Sequence, residues 1–253
     1  MAHAYLIETT EQSPLALGNF TPKRKVAFII QGSGATLSPS FEMMAACLVQ
    51  RGYDDLIAVR DTPHVFCRER RNLARENIAA LFEDLARQLS PDDVLFTAVL
   101  GASHTRTGMV YLDIPRSSSA LSAIELRDLL SQIPVQHAVS YISPDTSAGE
   151  FARYVAQASH PDLGNRHIAI APTVPSVFAS SYSHCIKTGR YQTSEVVTPF
   201  HAGFFDPDDK PSLEARFHDA ALYQQESKRP DACAYMRYGA IHPREIAFRP
   251  ATR

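Results

Sequence analysis

The chain has 253 residues, of which 45% are hydrophobic and 21% charged; this is enough to bury one sizeable core and excludes a disulfide-rich miniature protein or a disordered tail. Its 25 basic and 27 acidic residues give a formal net charge of -2, which argues against nucleic acid or an anionic membrane surface as a partner. No apolar run approaches the roughly 20 residues of a membrane span, and the first residues lack the pattern of a secretion signal, so we expect a soluble, cytoplasmic protein.

Strand and helix patterns alternate along the chain after a basic cluster at residues 23–25. Continuous apolar runs predict strands buried on both faces of a parallel sheet, and periodic apolar positions between capping residues predict helices. The predicted elements, in chain order, are a strand at 26–30, a helix at 38–51, strands at 56–59 and 94–100 on either side of a helix at 71–89, a hairpin strand at 109–112, a helix opened by a capping box at Ser122 and Glu125, a strand at 135–142, a helix at 147–158, a strand at 168–171, a helix at 213–225 and a strand at 233–238.

This alternation predicts an α/β protein in which residues 1–24 form an N-terminal arm and residues 25–253 form a single domain. The stretch 172–211 is the one long segment without a regular pattern. Loops of that length in a compact domain commonly carry function, so we expect it to help form a site.

Three of the predicted strands end in loops with chemically useful residues. Ligands of parallel sheets bind beyond the carboxyl ends of the strands, so these loops are where a site is expected. The first loop, residues 31–34, contains Gly32 and Gly34, which fit a tight turn better than a dinucleotide-binding loop because a third glycine is missing. The second contains His104, which could act as a general base or be an ordinary surface or core histidine.

The third loop contains Ser147, immediately before a predicted helix. Its hydroxyl could act as a nucleophile while the helix N-terminus faces a developing oxyanion. Asp145, Thr146 and Ser147 could equally cap that helix. Taken together, His104 and Ser147 supply the base and nucleophile that covalent acyl transfer requires.

The order of these features resembles the legumain and GPI-anchor transamidase group of caspase-like peptidases. The matching segments are the strand and glycine turn at 28–34, the helix end at 50–53, the strand, histidine and glycine at 94–108, the nucleophile segment at 145–148, and segments at 179–182 and 235–239. The resemblance implies a three-layer caspase-like fold with a mainly parallel central sheet, and it implies a possible homodimer.

The resemblance also implies roles for individual residues. Ser147 stands where the family has its catalytic cysteine, and His104 stands at the position of the family's general base; the backbone N–H groups of Thr105 and Ser147 would stabilise the oxyanion. A substrate pocket would be formed by Gly34, Asp145, Ser180, Ser181 and Tyr182. Asp145 is a second candidate for the nucleophile position, because Pro144 and a longer run before His104 shift the register. The substrate would be a small molecule or a peptide carrying an amide, ester or thioester.

The sequence departs from the family in ways that keep other functions open. Thr105 replaces a usual glycine, and no arginine precedes the first helix, so specificity for asparagine or aspartate is not predicted. The missing thiol raises the alternative of an inactive pseudo-peptidase that binds or regulates. A third possibility is an esterase of the α/β-hydrolase type, because residues 146–149 form most of a nucleophile elbow. Its acid and base would come from Asp206 or Asp208 with His218 or His242.

Metal and cofactor chemistry find less support in the residues. His184, Cys185 and His201, with the acidic turn at 206–209, match no metal-ligand spacing. Tyr182 and Lys187 are five residues apart, whereas a short-chain dehydrogenase would have them four apart. The four cysteines are widely spaced and fit buried hydrophobic positions. We therefore expect neither a metal nor a cofactor.

Overall fold

The computed structural model describes residues 7–8, 22–32, 38–60, 64–114, 120–144, 148–165, 167–171, 204–206, 216 and 236–238. Its four helices within these ranges are α1 (Ser38–Gln50), α2 (Arg75–Gln88), α3 (Ala123–Leu130) and α4 (Ala148–Val155). Its strands within these ranges are β1 (Ile7–Glu8), β2 (Lys25–Gln31), β3 (Asp55–Val59), β4 (Glu69–Arg71), β5 (Val94–Gly101), β6 (Ser103–Arg106), β7 (Met109–Leu112), β8 (Leu121–Ser122), β9 (His137–Pro144), β10 (Ser159–His160), β11 (Gly164–Asn165), β12 (His167–Ala171) and β13 (Met236–Tyr238).

Among the described residues, the central sheet has eight strands, in the order β1-β13-β12-β9-β5-β2-β3-β4. All neighbouring strands run parallel except β12 and β13, which are antiparallel. Smaller antiparallel sheets are formed by β6, β7 and β8 and by β10 and β11. The predicted α/β class with a mainly parallel central sheet is confirmed.

Helices cover both faces of this sheet, which gives the three-layer architecture. Phe28 and Ile30 of β2 belong to a core cluster that includes side chains of α2, α3 and α4. Ala27 and Ile29 alternate with them and belong to a second cluster with side chains of α1 and with Phe204 and Phe205. Because successive strand residues point to opposite faces, both faces of β2 must be apolar, which explains its continuous apolar sequence.

Side-chain capping and strand pairing determine where two of the helices, α3 and α2, begin. The Ser122 Oγ accepts the N–H of Glu125 at 3.1 Å, so the predicted cap of α3 is confirmed. The Glu125 carboxylate pairs with Arg75 at the start of α2 and so ties the two helices together. The predicted helix at 71–89 begins later, at Arg75, because residues 69–71 form β4 and pair with β3.

β4 lies at one end of the sheet and is rich in charge. Arg71 forms ion pairs with Glu69 at 2.9 Å and with Asp84 of α2 at 3.0 Å.

No helix in the described part of the chain is long and apolar enough to cross a membrane. The predicted helix at 213–225 and the irregular stretch 172–211 lie outside the described residues, apart from residues 204–206 and 216.

Candidate functional site

The carboxyl ends of three central strands meet at one end of the sheet. Gln31 of β2 lies beside Leu100 of β5, and Leu100 lies beside Ser143 of β9. The β5–β9 register continues to the last residues of both strands, where Gly101 lies beside Pro144. The segments that lead to residues 102–104 and 145–147 therefore leave the sheet from neighbouring points.

Two glycines allow the chain to pack closely at this end. Gly101 has a φ of 142°, a conformation that only glycine readily adopts, and a Cβ on it would lie 2.7 Å from the Cα of Gly32. A Cβ on Gly32 would lie 3.2 Å from the carbonyl oxygens of Leu100 and Asp113. The sequence predicted Gly32 as a tight-turn residue; its described role is a close approach between two strand ends and the chain after β7.

The hairpin formed by β6 and β7 follows directly after β5 and carries His104. Its two strands are joined by Thr107 and Gly108, whose φ angles are 50° and 76°. Positive φ at both central residues defines the type I′ turn that suits a two-residue hairpin loop. The predicted hairpin strand at 109–112 is confirmed, and β6 is its partner.

His104 is held by two neighbours on the same face of this hairpin. Its Nδ1 lies 2.5 Å from Oδ1 of Asp113, and its ring stacks on the directly opposite Tyr111 with centroids 5.4 Å apart and planes 12° apart. The His104 side chain remains 47% exposed. His104 is thus oriented on one side and accessible to a ligand on the other.

Thr105 is exposed and pairs with Val110 across the hairpin. The Asp113 N–H donates to the Ala102 carbonyl at 2.9 Å, which marks residues 102 and 113 as a hydrogen-bonded pair. Hydrogen-bonded and non-hydrogen-bonded pairs alternate along an antiparallel ladder, so Thr105 and Val110 form a non-hydrogen-bonded pair. The Thr105 N–H therefore points away from β7.

The remaining predicted site residues lie outside the described residues. These are Gly34, Asp145, Ser147, Ser180, Ser181 and Tyr182, as well as Asp208, His218 and His242 of the α/β-hydrolase alternative. The described structure thus places His104 and Thr105, together with the strand ends before Asp145 and Ser147. Asp206 is described: it is buried, and its carbonyl accepts a hydrogen bond from Arg216 at 3.0 Å.

Of the two described cysteines, one is buried as predicted and the other is only partly buried. Cys47 of α1 is buried and Cys67 is partly buried, and both are free thiols. Burial raises the pKa of both thiols, which lowers the fraction of reactive thiolate. Within the described residues, no group of three or more His, Cys, Asp or Glu side chains could hold a metal ion.

Asp113 was not among the residues predicted for the site. A local signal could have found it: the Thr107-Gly108 turn sets residue 104 opposite 111 and residue 102 opposite 113. Side chains of residues 104, 111 and 113 then share one face, with Asp113 diagonal to His104.

Comparisons of the chain with protein-family models and with curated proteins find no match.

Proposed function

We propose that this chain is a hydrolase or acyl transferase in which His104 is the general base and Ser147 the nucleophile. The observation that carries the proposal is the register of β5 and β9, which are parallel neighbours from Val94 beside His137 to Gly101 beside Pro144. His104 follows one of these strands by three residues, and Ser147 follows the other by three. Equal offsets from adjacent strand ends favour an encounter of the two side chains.

The surroundings of Ser147 support a role in acyl transfer. Ser147 directly precedes α4, whose backbone N–H groups and positive dipole end favour a negative charge nearby. In the proposed reaction, the Ser147 Oγ attacks the carbonyl carbon of an amide, ester or thioester while Nε2 of His104 takes its proton. The N–H groups of Ser147 and Thr105 stabilise the oxyanion. The imidazolium then protonates the leaving group, and water or an amine accepts the acyl group.

We include in this proposal a relationship to the legumain and GPI-anchor transamidase group of caspase-like peptidases. Three features support it: a mainly parallel sheet covered on both faces, a histidine on a hairpin directly after a central strand, and a short polar segment between the next strand and its helix. Substrates would be peptides or small molecules with an acyl group to transfer.

Labelling with a fluorophosphonate tests the assignment, because this reagent reacts with serines activated as nucleophiles. We expect intact-protein mass spectrometry to show one adduct and peptide mapping to place it on Ser147. Ser147→Ala and His104→Ala should both abolish labelling. Ser159→Ala and His160→Ala are matched controls and should label like the wild type, because His160 lines the same small cavity as Ala138 and His167, near the amino ends of the strands.

A folded wild-type protein that never labels at Ser147 would contradict the catalytic proposal. That result would favour the second candidate, a binding or regulatory protein built on the same fold. The feature that favours this candidate is a serine at the position where the related peptidases carry cysteine, because a serine hydroxyl is almost entirely un-ionised at neutral pH and depends more strongly on its base.

A further inference from the structure

We infer that Asp113 is a positioning residue for His104, fixing the imidazole as the tautomer with its proton on Nδ1. This inference rests on the proposed function for its catalytic consequence, but the tautomer itself is a property of the free protein. A carboxylate can only accept hydrogen bonds, so the 2.5 Å contact between Oδ1 and Nδ1 requires Nδ1 to be the donor. The Nε2 lone pair is then the basic position of the ring.

Asp113 is itself held firmly by the backbone on both sides. Its N–H donates to the Ala102 carbonyl at 2.9 Å, and its own carbonyl packs against Gly32, where a Cβ would come within 3.2 Å. The carboxylate is therefore attached to the junction between the hairpin and the end of β2, not to a loose loop. The backbone of Asp113 is thereby held in place relative to the sheet.

Tyr111 restricts the remaining freedom of the His104 ring. The two rings are nearly parallel, with planes 12° apart, and belong to directly opposite residues of the hairpin. Rotation of the imidazole about its Cβ–Cγ bond would break both the contact with Asp113 and the stacking on Tyr111. One partner thus selects the tautomer and the other limits the orientation.

In the proposed reaction Asp113 stabilises a charge and leaves the proton balance unchanged. Nε2 of His104 takes the proton of the Ser147 hydroxyl, which leaves an imidazolium with protons on both nitrogens. The ionised Asp113 stabilises that cation without taking its proton, and Nε2 then returns a proton to the leaving group. Asp113 begins and ends the cycle as a carboxylate.

Nitrogen NMR of histidine-labelled protein tests the inference without a substrate. At about pH 8 we expect the His104 ring to show the Nδ1–H tautomer in the wild type. Asp113→Leu should shift it toward the Nε2–H tautomer, because the acceptor for Nδ1 is gone. Asp162→Leu, which removes an exposed aspartate from the β10–β11 turn, should leave the His104 signals unchanged.

The same variants have a kinetic counterpart in the rate of fluorophosphonate labelling. Asp113→Leu should lower the rate at least about 100-fold, the lower range of a general-base contribution, and Asp113→Glu should recover part of it. If Asp113→Leu fails to fold, Asp113→Asn takes its place in the experiment. It keeps the shape of the side chain without the charge and should show a similar loss of labelling rate.

The failures of the two proposals are distinguishable. An Nε2–H tautomer in wild-type His104 would overturn the role of Asp113, whatever the activity. An unchanged labelling rate in folded Asp113→Asn would overturn it too. Absent labelling of the wild type, with the Nδ1–H tautomer observed, would overturn the proposed function and support the contact between Asp113 and His104.

Discussion

Gly101 and Gly32 approach so closely that a side chain on Gly101 would collide with the backbone of Gly32. A Cβ on Gly101 would lie 2.7 Å from the Cα of Gly32 and 3.0 Å from its backbone nitrogen. The Gly32 N–H donates to the carbonyl of Leu100, the residue before Gly101, at 2.6 Å. This contact joins the ends of β2 and β5 at the point where the hairpin with His104 begins.

Gly101→Ala should destabilise the fold by about 3 kcal/mol, because it adds a backbone clash to an unfavourable φ of 142°. Gly108→Ala is the matched control: its φ is also positive, but nothing lies within 4 Å of its added Cβ, so it should cost only about 1 kcal/mol. Urea unfolding of the two variants measures the difference. Equal losses would show that the close approach contributes nothing.

Thr107→Asn should stabilise the protein by about 1 kcal/mol. Thr107 is a β-branched residue at a φ of 50°, where its side chain crowds the backbone, whereas Asn tolerates that region and Asn-Gly is a favoured pair in type I′ turns. Thr107→Val keeps the branch and should give no gain. Thermal unfolding of both variants would test this, and an equal gain from Val would point to a cause other than backbone strain.

His167 should make the fold less stable in acid. It is buried at the start of β12, its Nε2 lies 2.7 Å from the Ser140 Oγ, and burial lowers its pKa to about 4 from the usual 6.5. The unfolded chain therefore binds this proton near pH 6.5 and the folded chain only near pH 4. Between these values the unfolded state holds more protons, so stability falls as the pH falls, by about 3 kcal/mol in total.

Urea unfolding at several pH values between 7 and 4 measures this loss. His167→Gln should remove about 3 kcal/mol of the loss between pH 6.5 and pH 4, while His160→Ala, at a partly exposed position in β10, should keep it. A wild-type slope retained by His167→Gln would assign the acid sensitivity to other groups.

Arg216→Met should cost about 3 kcal/mol. The guanidinium is fully buried and donates to the carbonyls of Phe204 at 2.9 Å and Asp206 at 3.0 Å, so its loss leaves buried acceptors without this donor. Arg153→Met is the surface control, because the ion pair between Arg153 and Glu150 is exposed and should change stability by less than about 0.5 kcal/mol. A comparably small loss at Arg216 would contradict the proposed importance of these two hydrogen bonds.

The central strands were predictable because they are buried on both faces and therefore contain long apolar runs. The strand predicted at 94–100 is β5, which is fully buried and ends one residue later, at Gly101. The cap at Ser122 was predictable from its spacing to Glu125. Such signals are local: burial on both faces and a helix start are each encoded within a few residues.

The rest depends on contacts between distant segments, which a single sequence does not display. β1 is two residues long and gains its strand character from pairing with β13, more than 200 residues away. β4 is charged and has no apolar pattern. The pairing of His167 with Ser140 and the packing of Gly32 against Gly101 each join separate strands. The residues next to them in the sequence therefore do not predict these contacts. Asp113 is a different case, because the register set by the local turn at 107–108 places it diagonal to His104.

The charge on β4 has a consequence for how the molecule meets other copies of itself. β4 is three residues long and carries Glu69, Arg70 and Arg71 at the edge of the central sheet as far as the described residues extend. A short strand with such side chains is a poor template for the addition of a strand from another chain, because incoming apolar residues would have to desolvate charges. We therefore expect this side of the protein to resist aggregation, and any pairing between copies to use another surface.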